Sequence, residues 1–402
     1  MLHVDCDAFF VQVARLEDPE GAGRTEFLIV GGSPTGRGVV TSASYEARAY
    51  GVRSAMPTGQ ALRLCPRATV VSVPRGAVGR HSASVRRALE DLAPVVEAAS
   101  VDEFYLDLTG TERLFRGKTL AETADRIRRT VLQRTSISTS VGGGSNRLVA
   151  KLATSRAKPA GVYVVPAGHE AAFLREHDLG DIPGVGPALV EALAARGLRT
   201  VDDAVGVGEA WLERWFGPRR GAWLHDRIRG VGGDEVDPDR ERKSISSERT
   251  FHEDITDAES LDTELLRLSE SVGAVLRRQG LRCRTVTVKL RDHDFKTRQK
   301  AVTLSEAVES DRAIRSAAQG LLDDLRTARR RPARLLGIGL AGFEAGNAPR
   351  QLGLFAEPTG APESDKEREL SRAVDEVRDR FGRGAVAPAR LTQDERKEKR
   401  DR

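Results

Sequence analysis

The sequence predicts an α+β protein of several domains. Three observations carry that expectation. The chain has 402 residues, room for two or more cores of ordinary domain size. Residues 1–165 mix strand-like and helix-like segments, and residues 166–230 read as short helices. A charged, Gly- and Pro-containing stretch at 231–243 then separates a second strand-and-helix unit at 244–343.

The first apolar run, Leu2 to Val4 in LHVDCDAFF, leads straight into Asp5 and reads as a strand that ends at its acid. Residues 17–74 look like an insertion between this strand and the rest of its domain. HSASVRRALEDLAPVVEAAS holds a helix followed by a strand. VVEAAS runs into Asp102 and Glu103 and FYLDLT runs out, a hairpin with carboxylates at its tip. Leu120, Ala124, Ile127 and Val131 recur at helical spacing. ISTSVGGG is a further strand and NRLVAKLATSRA a further helix. In DIPGVGPALVEALAARGL a Pro-Gly-Val-Gly turn joins two helical stretches. Gly184 and Gly186 would let backbone N–H groups approach a DNA phosphate beside a helix N-terminus.

In RCRTVTVKLRD, Val286, Val288 and Leu290 alternate with Thr287, Lys289 and Arg291, one face for burial and one carrying cations. SERTF, with Arg249, and PARLLGIGLAGF, with Arg334, read as companion strands. The run Arg284, Lys289, Arg291, Lys296, Arg298 and Lys300 favours binding to a phosphate backbone, the main source of sequence-independent affinity. The tail from 344 holds QLGLF at 351–355. An amphipathic helix follows, with Leu370, Val374, Val377 and Phe381 at spacings of four, three and four, and then a solvated charge run.

Apolar residues make up 39% of the chain and charged residues 31%, which fits a soluble globular protein. The net charge of +5 is mildly basic, with arginine and lysine crowded into the last third. Cys6, Cys65 and Cys283 are odd in number and form no CxxC pair, which argues against a disulfide framework or zinc site and for a reducing cytoplasm. No window approaches the apolar length that spans a bilayer, so no membrane association is expected. Clustered acids such as Asp5, Asp102 and Glu103 repel one another unless cations lie between them. The natural occupant is a pair of Mg2+ ions, which take oxygen ligands and bridge to substrate phosphates. Two ions about 3.5–4 Å apart clamp the attacking and leaving oxygens of an in-line displacement.

Together HVDCDAFF, VVTSASYEARAYGVRSAMP, SVDEFYLDLTG, SNRLVAKLATSRAKPAGVY, the IPGVG hairpin and LLGIGL resemble Y-family DNA polymerases, most closely the bacterial DNA polymerase IV (DinB) group, over roughly residues 1–355. The resemblance implies a right-hand polymerase. Its palm would be 1–16 and 75–165, small fingers 17–74, a helical thumb 166–230, a linker 231–243, a separate α/β little finger 244–343 and a tail 344–402. It implies that Asp5, Asp102 and Glu103 hold two Mg2+ ions, for which Mn2+ substitutes, with the Cys6 backbone carbonyl completing one coordination sphere. It further implies that Phe10 is a steric gate against the 2′-hydroxyl, and that Ser42, Tyr45, Arg48 and Lys158 grip the triphosphate of a dNTP, with Lys151 a weaker candidate. Gly184, Gly186, Arg249, Lys289, Arg291 and Arg334 would meet primer-template DNA. Gln351, Leu352, Leu354 and Phe355 would dock on a sliding clamp. Asp7 is expected to cap the following helix rather than bind metal. Ala14, where many relatives carry Glu, and Arg147, in place of a common lysine, depart from the pattern.

The implied activity is low-fidelity translesion DNA synthesis by a monomer without proofreading. A catalytically silent accessory protein that docks on DNA and clamp is the alternative, and such proteins lose the acids that this chain keeps.

Overall fold

In β1 (Leu2–Cys6) the side chains alternate, with Leu2, Val4 and Cys6 in the core and His3 and Asp5 on the other face. The computed structural model describes residues 1–111, 117–239, 241–346, 363–382 and 384–392. It divides into two units, Met1–Arg240 and Glu241–Arg402.

After β1 the chain turns through Ala8, at φ 44°, into α1 (Phe9–Glu17). Residues 17–74 then build a small layer of their own from β2 (Leu28–Gly31), β3 (Val40–Ala43), α2 (Tyr45–Ala49), α3 (Thr58–Leu64) and β4 (Thr69–Val71). Its sheet runs β3-β2-β4 over a core of Ile29, Val40, Ala47, Val52, Ala61 and Cys65. The chain returns through α4 (Arg75–Glu90), β5 (Val95–Ala98), β6 (Glu103–Asp107), α5 (Leu120–Thr135), β7 (Thr139–Gly143), α6 (Arg147–Ala157) and β8 (Val162–Val164). The central sheet has the order β5-β6-β1-β7-β8. On one face Val85 and Leu89 of α4 and Ile127 and Val131 of α5 pack with Leu2, Val4, Phe104, Leu106 and Val141. On the other lies α6. A Cβ on Gly142 of β7 would come within 2.2 Å of the Ala150 carbonyl oxygen, so the glycine run of ISTSVGGG permits this close approach.

Five short helices follow: α7 (Glu170–Arg175), α8 (Pro187–Ala194), α9 (Val201–Val205), α10 (Glu209–Phe216) and α11 (Pro218–Arg227). Leu174, Ile182, Leu189, Leu193, Leu212 and Leu224 form their core, to which Leu148 and Leu152 of α6 contribute. The stretch 231–243, with the composition of a linker, is tied down over its first part. Arg147 N–H donates to Gly233 O at 3.0 Å, and Asp237 N–H donates to the Glu97 carboxylate at 3.0 Å. Composition could not show this, because the anchors are backbone groups.

The second unit is an antiparallel sheet, β11-β10-β12-β9, built from β9 (Ser244–Ile255), β10 (Leu281–Asp292), β11 (Thr297–Val308) and β12 (Ala333–Ala345). The helices α12 (Ala258–Arg278) and α13 (Asp311–Ala328) cover one face, burying Val286, Val288, Leu290, Leu336, Ile338 and Leu340. The alternation read in RCRTVTVKLRD therefore holds. In the reading of the basic run, β11 had no place as a strand. It is an edge strand with few buried apolar positions, so its period is faint.

The tail helix α14 (Asp365–Phe381) forms with a Ser364/Glu367 capping box. Its apolar stripe is only partly seated, with Val374 and Val377 half-buried. Leu370 and Phe381 are 64% and 68% exposed, while Ser371 is buried. Ion pairs seat the helix: Asp375 on the buried Arg277 at 2.6 Å, and Arg378 on Glu270 at 3.2 Å.

Candidate active site

Strand register brings the acids together. In the antiparallel pair β1–β6, Asp5 lies directly opposite Glu103. Cys6 N–H donates to Asp102 O at 2.9 Å, which sets the hairpin tip against the end of β1. Each acid already has a partner. Lys158 Nζ stands 2.6 Å from Asp5 Oδ1, and Lys151 Nζ stands 2.7 Å from both Glu103 oxygens. Ser100 Oγ donates to Asp102 at 2.6 Å. Burial pushes the Asp5 carboxyl up to about 6, with Lys158 pulling against it and the Glu103 and Asp102 charges adding to the rise. At Glu103 burial also acts upward, but the hydrogen bonds and charge of Lys151 outweigh it and hold the carboxyl below its usual range. Behind them His3, driven down to about 3 by burial, stays neutral against Thr154 at 2.9 Å.

Among the described residues no three acidic, histidine or cysteine side chains already enclose a common cation position. Asp5 and Glu103 are turned onto lysines instead, and Asp102 onto Ser100. The donor set nonetheless fits Mg2+: it offers carboxylate oxygens, half-buried to buried, and one of them is costly to ionise without a cation beside it. The Cys6 side chain lies in the core, 2% exposed, as a small apolar packer.

Of the Phe9–Phe10 pair, Phe9 is core and Phe10 is half-buried, their rings edge-on at 5.8 Å. Ser42 ends up buried in β3, whereas Tyr45 and Arg48 ride on α2. Arg48 Nε donates to Ala43 O at 2.9 Å, Nη2 reaches Ser42 Oγ at 3.5 Å, and the guanidinium stacks 5.0 Å from the Tyr45 ring centre. These three side chains thus form one group, while Lys158 lies on Asp5. Asp7 does not cap α1, whose N-cap is Ala8 with no side-chain cap. Its carboxylate accepts from Tyr45, Ser138, Ser140 and the Ala160 N–H.

Ala14 is 5% exposed and packs with Val11, Leu28 and Val30, where a glutamate would bury a charge. Arg147 makes a two-pronged ion pair with the buried Glu97, one arm at 2.8 Å, and lies 3.9 Å over the Tyr105 ring. A lysine has neither the fork nor the flat face for this.

At the helical hairpin Gly184 has φ 100° and its Cα lies against Trp223, where a Cβ would come within 2.6 Å of the ring. Gly186 is the N-cap of α8, with Pro187 in the first turn. In the second unit the single cationic face read from sequence is corrected by register. Lys289 and Arg291 are on the open face, opposite Gln299 and Thr297. Arg298 and Lys300 pair across from Leu290 and Val288, so they face the helices, where they bind Asp292 and Asp324. Arg249, opposite Leu336, is also on that side and holds Glu264 of α12 at 3.0 Å. Lys289 is itself paired with Glu248 at 2.9 Å. Arg291 donates to Thr297 and has no carboxylate partner among the described residues, and Arg334 stacks 4.5 Å from the Phe295 ring centre. Gln351, Leu352, Leu354 and Phe355 lie outside the described residues.

The chain matches the impB/mucB/samB family over residues 4–155 and that family's C-terminal domain over 242–354. Residues 180–232 match a DNA polymerase-iota thumb domain. It is 37% identical to DNA polymerase IV of Desulfatibacillum aliphaticivorans over 98% of this chain and 97% of that one. With DNA polymerase IV of Halorhodospira halophila the identity is 39%, over 89% and 99%. Among solved structures it is similar to a Y-family polymerase chimera of Dbh and Dpo4, with TM-score 0.75, 25% identity and coverage of 85% of this chain and 98% of that one. An insertion ternary complex of Dbh DNA polymerase gives TM-score 0.59 and 26% identity at the same coverage. Fold and relatives together define a DNA-directed DNA polymerase. The chain belongs to the Y family of these enzymes, alongside the bacterial DNA polymerases IV.

Proposed function

We propose that this polymerase performs low-fidelity synthesis across damaged template by two-metal nucleotidyl transfer, without proofreading. The observation that carries the proposal is the placement of Asp5 opposite Glu103, with Asp102 bonded to the next residue of β1. Asp5, Asp102, Glu103 and the Cys6 carbonyl would hold two Mg2+ ions, with Mn2+ able to substitute. When bound, the ions supply charge stabilisation at the reacting phosphate and activation of the primer 3′-hydroxyl. The chain's own residues do the rest. Lys158 and Lys151 neutralise the acids until cations and triphosphate arrive, and Lys158 then turns to the phosphates. Arg48 and Ser42, already grouped, would donate to the triphosphate oxygens, with the Tyr45 ring beneath the guanidinium and its hydroxyl on Asp7. Phe10, half-buried at the start of α1, would lie beneath the sugar and collide with a 2′-hydroxyl. The three-stranded layer is small, which supports loose shape checking. Primer-template DNA would meet the Gly184–Gly186 hairpin and the open face bearing Lys289 and Arg291, with Arg334 beside it. QLGLF would recruit a sliding clamp to a monomeric, cytoplasmic enzyme.

The test is primer extension with the purified full chain on undamaged and lesion-bearing templates. Extension with Mg2+, lost on Glu103→Ala while DNA binding persists, is expected. Normal extension by that variant would overturn the assignment. DNA and clamp binding without any extension by the wild type would favour the silent accessory reading.

A further inference from the structure

Asp7 is 4% exposed and its carboxylate is filled. Oδ1 accepts from Ser140 Oγ at 2.7 Å and Tyr45 OH at 3.3 Å. Oδ2 accepts from Ser138 Oγ at 2.9 Å and Ala160 N–H at 3.0 Å. Four donors on two oxygens use the full capacity of a carboxylate, which accepts and does not donate. An amide in its place has one acceptor oxygen instead of two; the hydroxyls can turn to accept from its N–H groups, but the Ala160 N–H cannot.

These donors come from three separate segments. Ser138 and Ser140 lie at the start of β7. Tyr45 is on α2, beside Arg48. Ala160 follows Lys158 by two residues and sits at φ 53°, in the left-handed region a Cβ-bearing residue seldom enters. Asp7 itself begins the turn that places Phe10, and that turn passes through Ala8 at φ 44°. Gln12 ties the same turn from below: its amide N–H donates to the Asp7 carbonyl and, at 2.9 Å, to Ser138 O, and its oxygen accepts from Ser138 N–H at 2.7 Å. Two strained backbone positions on either side of one buried carboxylate indicate a structure held for a purpose beyond packing.

We infer that Asp7 is a positioning residue for the incoming nucleotide, holding the Tyr45 ring under Arg48 and the Lys158 turn in place, so that Arg48 and Lys158 reach the triphosphate. The inference rests on the polymerase reading of Arg48 and Lys158. Asp7 touches neither cation nor substrate in this account. It acts through the groups it holds, so its loss weakens nucleotide capture more than DNA binding.

The experiment is steady-state single-nucleotide insertion by the full chain with Mg2+, well below the melting temperature, together with the DNA dissociation constant. Wild type, Asp7→Asn, Tyr45→Phe and the double variant are compared. Asp7→Asn is expected to raise the dNTP KM roughly tenfold or more, the scale of losing hydrogen bonds to a charged group. DNA affinity is expected to hold, and the Asp7→Asn and Tyr45→Phe increases in KM should fail to multiply in the double variant. Should Asp7→Asn not fold, Ser140→Ala takes its place, with a KM rise of a few-fold expected from loss of one donor. An unchanged dNTP KM in either variant, with kcat falling only in step with the folded fraction, overturns the inference and makes Asp7 a purely structural residue. Fully multiplying effects overturn the route through Tyr45. A wild type that extends no primer would instead fail the polymerase reading itself, so the two failures are distinct.

Discussion

The central sheet of the first unit and the sheet of the second treat charge in opposite ways. On the first, acids are gathered at one strand end and covered by mobile-stemmed lysines, Lys158 on Asp5 and Lys151 on Glu103. On the second, arginines on the helix side are spent on the chain's own acids: Arg298 on the fully buried Asp292 and Arg249 on the buried Glu264. The difference shows that clustering in sequence is a poor guide to available charge. What matters is whether the partner is a buried fixture or one that a ligand can displace. A lysine 30–34% exposed over an acid can exchange its partner for a cation and a phosphate. An arginine bonded to a buried aspartate and to backbone carbonyls cannot do so without breaking the fold.

The largest effect that would break this comparison is at the acids. Asp5→Asn, Asp102→Ala and Glu103→Ala are each expected to lower extension by on the order of a thousandfold or more, since each would remove charge stabilisation at the reacting centre. Gel-shift affinity for primer-template should change little. Next comes Lys158→Ala, for which a roughly tenfold rise in dNTP KM is expected from the loss of one charge-assisted contact. In the second unit Arg298→Ala should lower stability in urea melts by about 2 kcal/mol, because the buried Asp292 loses one of its two arginine partners and keeps Arg329. The smallest effect separates the two faces. Arg291→Ala should reduce the salt slope of DNA binding by about one, whereas Lys300→Ala, facing the helices, should leave it unchanged. Equal slopes for the two variants would show that register does not select the DNA-facing cations.

Much of this could be read before the structure. The strand at Leu281–Asp292 and the helix at Leu120–Thr135 declare themselves through apolar period, because each buries one face. Leu2–Cys6, buried on both faces, and the hairpin around Asp102 and Glu103 are legible instead as short apolar runs that meet an acid. The strand Thr297–Val308 was not, since an edge strand with polar residues on both faces carries no period. The side on which Arg249, Arg298 and Lys300 fall depends on cross-strand register, which the local sequence does not encode. The tail helix was legible from its stripe, but the ion pairs that help seat it, made with residues about a hundred positions away, were not. The role of Asp7 stayed hidden because its donors lie 38, 131, 133 and 153 residues away.

The account stands on Asp5, Asp102 and Glu103 accepting divalent cations once the lysines yield. The direct measurement is Mn2+ binding by the full chain, followed by its paramagnetic resonance signal, in the presence of primer-template ending in a dideoxynucleotide and a matching dNTP. Two tightly bound ions per complex in the wild type, and loss of that binding in Asp5→Asn and Glu103→Ala, are predicted. Unaltered Mn2+ binding in those variants, with DNA and dNTP still held, would contradict it.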